Sequence, residues 1–125
     1  MPGIFGFLSK SGEIDKTEAQ NTIGHMSNYL MHHAWYGHEQ LVAEFGAFGV
    51  VSVGRSSLLK KVAFRGDEYL VLIDGYVYSV GHESFHERDE ILEQILNRVL
   101  LNNGDYAAIK GNYNIAIVSL REKNI

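Results

Sequence analysis

An unusual second residue, a scatter of histidines and an Asp-Gly pair are the features of this 125-residue chain that could do chemistry; cysteine is absent. Without cysteine there are no disulfides, thiolate metal sites, iron–sulfur clusters or thiol nucleophiles. Met1-Pro2 permits methionine removal. The secondary amine left on Pro2 could then serve as a base or nucleophile, and any small residue would suit the position equally well. There are six histidines, and His25, His32, His33 and His38 fall close together. His25 and His32 are seven apart and share a helix face, yet no carboxylate stands beside them at ligand spacing. His82 and His86 are four apart, across the helix start expected at Ser84. These read as surface histidines, and no metal site is expected. Trp35 and Tyr36 read as a cap on the end of the first helix in preference to a binding patch.

The elements that must position these residues alternate between helix and strand. Ile4 to Leu8 is a short apolar run bounded by Ser9-Lys10-Ser11-Gly12, a buried strand. Asp15 and Glu18 are spaced as a capping box, and Ala19, Ile23, Met26 and Leu30 paint one apolar stripe on a helix ending near His32. Residues 34–39 are expected to be a loop. Gln40–Phe45, Ala47–Val53 and Glu68–Ile73 read as extended. Asp74-Gly75 lies between two β-rich runs, 69–73 and 76–80, which predicts a type I′ hairpin packed by Tyr69, Tyr76 and Tyr78. Ser84 with Glu87 reads as a second capping box. The helix it opens carries Ile91, Leu92, Ile95, Leu96, Val99 and Leu100 and stops at Asn102-Asn103-Gly104. Asp105–Lys110 could add one helical turn, Tyr113–Leu120 is a strand, and Arg121–Asn124 has turn composition.

Composition bounds the function. Hydrophobic residues make up 46% and charged residues 21%, enough for a core and too apolar for disorder. The net charge of −4 and the lack of any basic run beyond Lys60-Lys61 argue against a nucleic-acid surface. No signal peptide or membrane span is legible, and a cytoplasmic location is expected. The order of elements predicts an α+β domain of helices on largely antiparallel sheet.

Four stretches in order resemble the glutaminase domain of class II glutamine amidotransferases, above all of asparagine synthetases. Met1-Pro2-Gly3-Ile4-Phe5-Gly6-Phe7 is similar to that family's Met-Cys-Gly-Ile-x-Gly-Phe start. Met26–His33 and the following loop are similar to its helix running into His-Arg-Gly-Pro-Asp. Leu70–Tyr78 is similar to its Phe-Asn-Gly-Glu-Ile-Tyr-Asn segment, and Ile109–Ile117 to its Leu-x-Gly-x-Phe-Ala-Phe-Ala-Ile strand. The resemblance implies the N-terminal-nucleophile hydrolase fold, a four-layer αββα sandwich of antiparallel sheets. It spans residues 1–125, and because no return strand follows 121–124, the domain is expected to be incomplete at its C-terminus.

In that family the second residue is a cysteine that attacks the glutamine amide while backbone and Asn donors hold the oxyanion. Here Pro2 occupies the nucleophile position and brings no side-chain nucleophile. Asp74 corresponds to the oxyanion Asn, and a carboxylate there repels a developing oxyanion. Gly75 is retained, as a turn glycine would be. The arginine that clamps the glutamine carboxylate has no counterpart in Phe48–Ser52, and Arg55 would need a shifted register. His32-His33-Ala34-Trp35-Tyr36 replaces the His-Arg-Gly-Pro-Asp loop. The resemblance therefore implies a degenerate glutaminase domain with no catalytic residues of its own, as in β-lactam synthetases and lasso-peptide cyclases. There it acts as scaffold and substrate-docking wall of an ATP-dependent amide-forming enzyme. ATP and Mg2+ are expected only in a missing C-terminal synthetase domain or a separate adenylating subunit, because this chain has no Ser-Gly-Gly-x-Asp or Gly-x-x-x-x-Gly-Lys loop. The substrate would be a peptide or small molecule. The alternative reading is a free-standing enzyme using the Pro2 amine or Asp74, a reading that unchanged activity in Pro2→Ala would sink.

Overall fold

A computed structural model describes residues 3–31, 33, 36–52, 57–81, 83–84, 88–101, 106–123 and 125. The elements are β1 (Gly3–Leu8), α1 (Lys16–Leu30), β2 (Gly37–Ala43), β3 (Gly46–Ser52), β4 (Ser57–Phe64), β5 (Asp67–Val80), β6 (Glu83–Ser84), α2 (Arg88–Leu96) and β7 (Ile109–Ser119). The protein is α+β, with two antiparallel sheets. One sheet has the order β1-β3-β2. In the other, β5 pairs with β4 and the short β6, and with β7.

Alternation along the strands builds three apolar layers. Along β5, Leu70 and Leu72 are buried with Phe45, Phe48 and Val118, between the two sheets. The residues of opposite parity, Val71 and Ile73, pack with Leu92, Ile95 and Leu96 of α2. On the other sheet, Phe5, Ala47 and Val51 face away from the centre and pack with Ala19 and Ile23 of α1. A period-2 pattern on each strand thus feeds two faces, and each helix covers one outer face. The central strand β3 is buried along its whole length, so both of its faces are covered. No helix among the described residues is long and apolar enough to cross a membrane.

The first helix follows its sequence signal. Asp15 is the N-cap, and its carboxylate accepts from the Thr17 amide at 2.8 Å. Ala19 and Ile23 are fully buried, with Met26 and Leu30 packed beside them. Because this cap satisfies an otherwise orphan amide, Asp15→Ala should cost about 1 kcal/mol, read as a lower urea midpoint with an unchanged slope.

The expected hairpin at Asp74-Gly75 is not formed. Both residues lie inside the uninterrupted β5, where Asp74 pairs with Ser57 on one side and Asn114 on the other. The two-residue hairpin is at Arg65-Gly66, between the paired Phe64 and Asp67. Both loop residues have positive φ, 52° and 84°, as a type I′ turn requires. Arg65 holds this conformation with its guanidinium 5.8 Å from the Phe64 ring centroid. With no hairpin at 74–75, Tyr69 packs on the α2 side of β5; the side chains of Tyr76 and Tyr78 lie outside the described residues.

Other boundaries also move. Residues 37–39, expected in a loop, open β2. β4 forms where the sequence pattern predicts no strand. Ser84 pairs with Ser79 as part of β6, and the described helix begins at Arg88; the capping box expected of Ser84 and Glu87 falls partly outside the described residues. A π-type stretch, Asn97–Leu101, continues α2, and a single 3-10 turn at Tyr106–Ala108 leads into β7. Past β7, Lys123 donates to the Ser119 carbonyl at 2.9 Å, so the turn expected near 121–124 is present over its described part.

Candidate functional site

Asp74 and Gly75, singled out by the sequence, lie toward one end of the sandwich. β1 starts at Gly3, opposite Val51 of β3, and β2 starts at Gly37, opposite Ser52. The two outer strands are therefore parallel and begin together. β4 starts at Ser57, opposite Asp74. A side-chain bond joins the two sheets here: the Leu59 amide of β4 donates to Glu39 Oε2 of β2 at 3.2 Å. The starts of β1, β2 and β4, the end of β3 and the middle of β5 thus share one end of the molecule.

Asp74 continues the parity of Leu70 and Leu72, which places it on the inter-sheet face at the rim of the core. It is half-buried, and the residue opposite it on β7, Asn114, is exposed. Ser52 is buried at 6% exposure and shares the parity of Val50. An ionised carboxylate only accepts hydrogen bonds. A rim with Asp74 and Glu39 therefore suits a cationic or N–H-bearing group, and opposes a developing oxyanion.

Gly75 follows with a φ of +107°. A Cβ built on it would lie 2.2 Å from the Asn112 carbonyl oxygen and 2.9 Å from Tyr113 Cα. Its glycine identity is thus required by the close approach of β7 to a bend within β5 and not by a turn. The bend lies one residue beyond the last pairing with β4, and a register shift follows between Val77 and Ser79.

Pro2 lies outside the described residues, as do His32, Trp35, Arg55, His82 and His86. The stretch 48–52 is the buried core of β3 and contains no cation. His33 stacks edge-to-face on Tyr36 with centroids 5.2 Å apart, and Tyr36 packs against the α1 layer. Among the described residues no three His, Asp or Glu side chains converge as a metal cluster would. Among the described residues, a cleft of about 450 Å³ lies beside β7 and another of about 460 Å³ between residues 13–16 and the end of β2. Neither is lined by Asp74 or Gly75.

Sequence reasoning found Asp74 and Gly75 and missed Glu39, Ser52 and Asn114. Strand register sets Asn114 opposite Asp74 in one sheet and Glu39 opposite Val50 in the other, and these are pairings of distant segments. Compared with known proteins, the chain matches no family model, no curated protein and no solved structure.

Proposed function

We propose that this chain is a degenerate glutaminase-like domain, with the N-terminal-nucleophile hydrolase fold, of an asparagine-synthetase-like, ATP-dependent amide-forming enzyme. In this role it is scaffold and docking wall, while adenylation belongs to a synthetase domain or partner subunit. The observation that carries the reading is spatial. Three of the four stretches that resemble the family form β1, β5 and β7, and β1 lies across β5 and β7. Segments separated by some sixty and a hundred residues thus meet around one end of the sandwich, where that family builds its glutaminase site.

The chemistry at that end supports a lost hydrolase. Proline at position 2 offers no thiol, and Asp74 on the inter-sheet face would oppose an oxyanion. Docking of an amine-bearing substrate remains compatible with these carboxylates.

The reading is tested by rebuilding the site. The natural chain should release no ammonia from glutamine. Pro2→Cys alone should give at most a trace. Pro2→Cys with Asp74→Asn should exceed Pro2→Cys by about 10²-fold in kcat/KM, the usual worth of one oxyanion donor. Equal rates for the two variants would sink the assignment of Asp74. In the amide-forming enzyme, product formation should need ATP and this domain, and should proceed without glutamine.

A further inference from the structure

Along β2, positions 39 and 41 share one face, and Leu41 packs into the layer between the sheets with Leu59 and Leu72. Glu39 therefore points toward the other sheet, where its Oε2 accepts from the Leu59 amide of β4 at 3.2 Å. In the ladder between β4 and β5, Leu59 stands opposite Leu72. The amides of an antiparallel strand turn alternately toward the neighbouring strand and away from it. An amide that reaches a side chain of the other sheet is one of those turned away from β5. Such edge amides ordinarily face solvent or a further strand. Here a side chain fills that place, and it crosses from one sheet to the other where β2 and β4 are in contact. Asp74 lies two residues beyond Leu72 on the same face of β5, about 7 Å along the strand.

We propose that Glu39 is a clasp that holds β2 against β4 and so limits access to Asp74 from that side. With the bond made, the two strands are tied across the gap beside Leu72 and Asp74. With it broken, the Leu59 amide returns to solvent, and the contact between the strands rests on the half-buried Leu41 and Leu59. A hydrogen bond this close to water is worth little net against the water that replaces it. The clasp therefore opens and re-forms without either sheet unfolding. Its fastening element is an acceptor oxygen aimed at an edge amide, and a side-chain amide carbonyl of the same length supplies the same oxygen. The device rests on the geometry of two strands alone and stands whatever enzyme the domain serves.

Amide hydrogen exchange followed by NMR reads the bond directly. Glu39→Ala should speed exchange at Leu59 by about threefold or more, while Lys61, the next outward-turned amide of β4, keeps its rate. Glu39→Gln, which retains an acceptor oxygen, should preserve most of the protection at Leu59. Access to position 74 is measured separately. The chain has no cysteine, so Asp74→Cys supplies a single thiol whose alkylation by neutral iodoacetamide can be timed. Adding Glu39→Ala should raise that rate by about threefold or more over Asp74→Cys with Glu39→Gln. Both substitutions at position 39 remove the same charge, so the difference between them reports the clasp and not the local field. Equal exchange at Leu59 in the Ala and Gln variants, a rise shared by every amide of β4, or equal alkylation in the two double variants would each overturn the proposal.

Discussion

Replacing Gly75 by alanine should destabilise the protein by about 3–5 kcal/mol, measured as the loss of unfolding free energy in urea. Two penalties combine. A φ of +107° is far from the left-handed well near +57° that other residues can enter. The new Cβ would also sit 2.2 Å from the Asn112 carbonyl oxygen and 2.9 Å from Tyr113 Cα. Both obstacles are backbone, so no rotamer change relieves them; β5 and β7 must separate locally. The two strands form the longest pairing in the fold, from Tyr69–Ser119 to Val80–Ile109. Gly24 in α1 is the control, since nothing lies within 4 Å of its Cβ position. Gly24→Ala should stabilise by about 0.5–1 kcal/mol through helix propensity. A loss under about 1 kcal/mol at Gly75 would show that β7 does not approach it as described.

Leu72→Ala should cost about 2–5 kcal/mol. Its side chain is fully buried between the sheets, in a cluster with Phe45, Phe48, Leu70 and Val118. Phe48 and Leu70 come from different sheets, so the cavity would open in the one layer that joins them. Domains of this size have about 5–15 kcal/mol in total, so the loss is a sizeable fraction of the stability. The melting temperature should fall by roughly 10 °C or more. Leu101→Ala, at 41% exposure, should cost well under half as much. Equal losses at the two positions would contradict the inter-sheet placement of Leu72.

Some of this architecture is legible in one dimension. The stripe Ala19, Ile23, Met26 and Leu30 is a local property of one helix, and Asp15 caps it as its spacing suggests. The apolar runs at 4–8 and 113–120 contain strands for the same reason. β4 escaped notice because Lys60 and Lys61 interrupt both of its alternating faces. That is how a guarded edge strand reads, and only its pairing with β5 identifies it.

The site divides similarly. Asp74 and Gly75 stand out by residue type, and the missing thiol is settled by composition. Their neighbours Glu39, Ser52 and Asn114 could not be read, because register is an agreement between segments and no single segment contains it. The Asp-Gly pair shows the limit clearly. Two Xaa-Gly pairs, 65–66 and 74–75, each lie beside β-rich runs, and local turn chemistry favours the second.

By itself the sequence determines that the chain has no cysteine chemistry, that its first helix is amphipathic, and that Pro2 cannot supply a side-chain nucleophile. Tertiary structure decides where the chain reverses. Turn preferences differ by about 1 kcal/mol, whereas burying Leu70, Val71, Leu72 and Ile73 on both faces of an uninterrupted β5 is worth several times that. Burial therefore carries the strand straight through Asp74, turns Gly75 from a loop glycine into the point of closest approach between two strands, and sets Asp74 at the rim between the sheets.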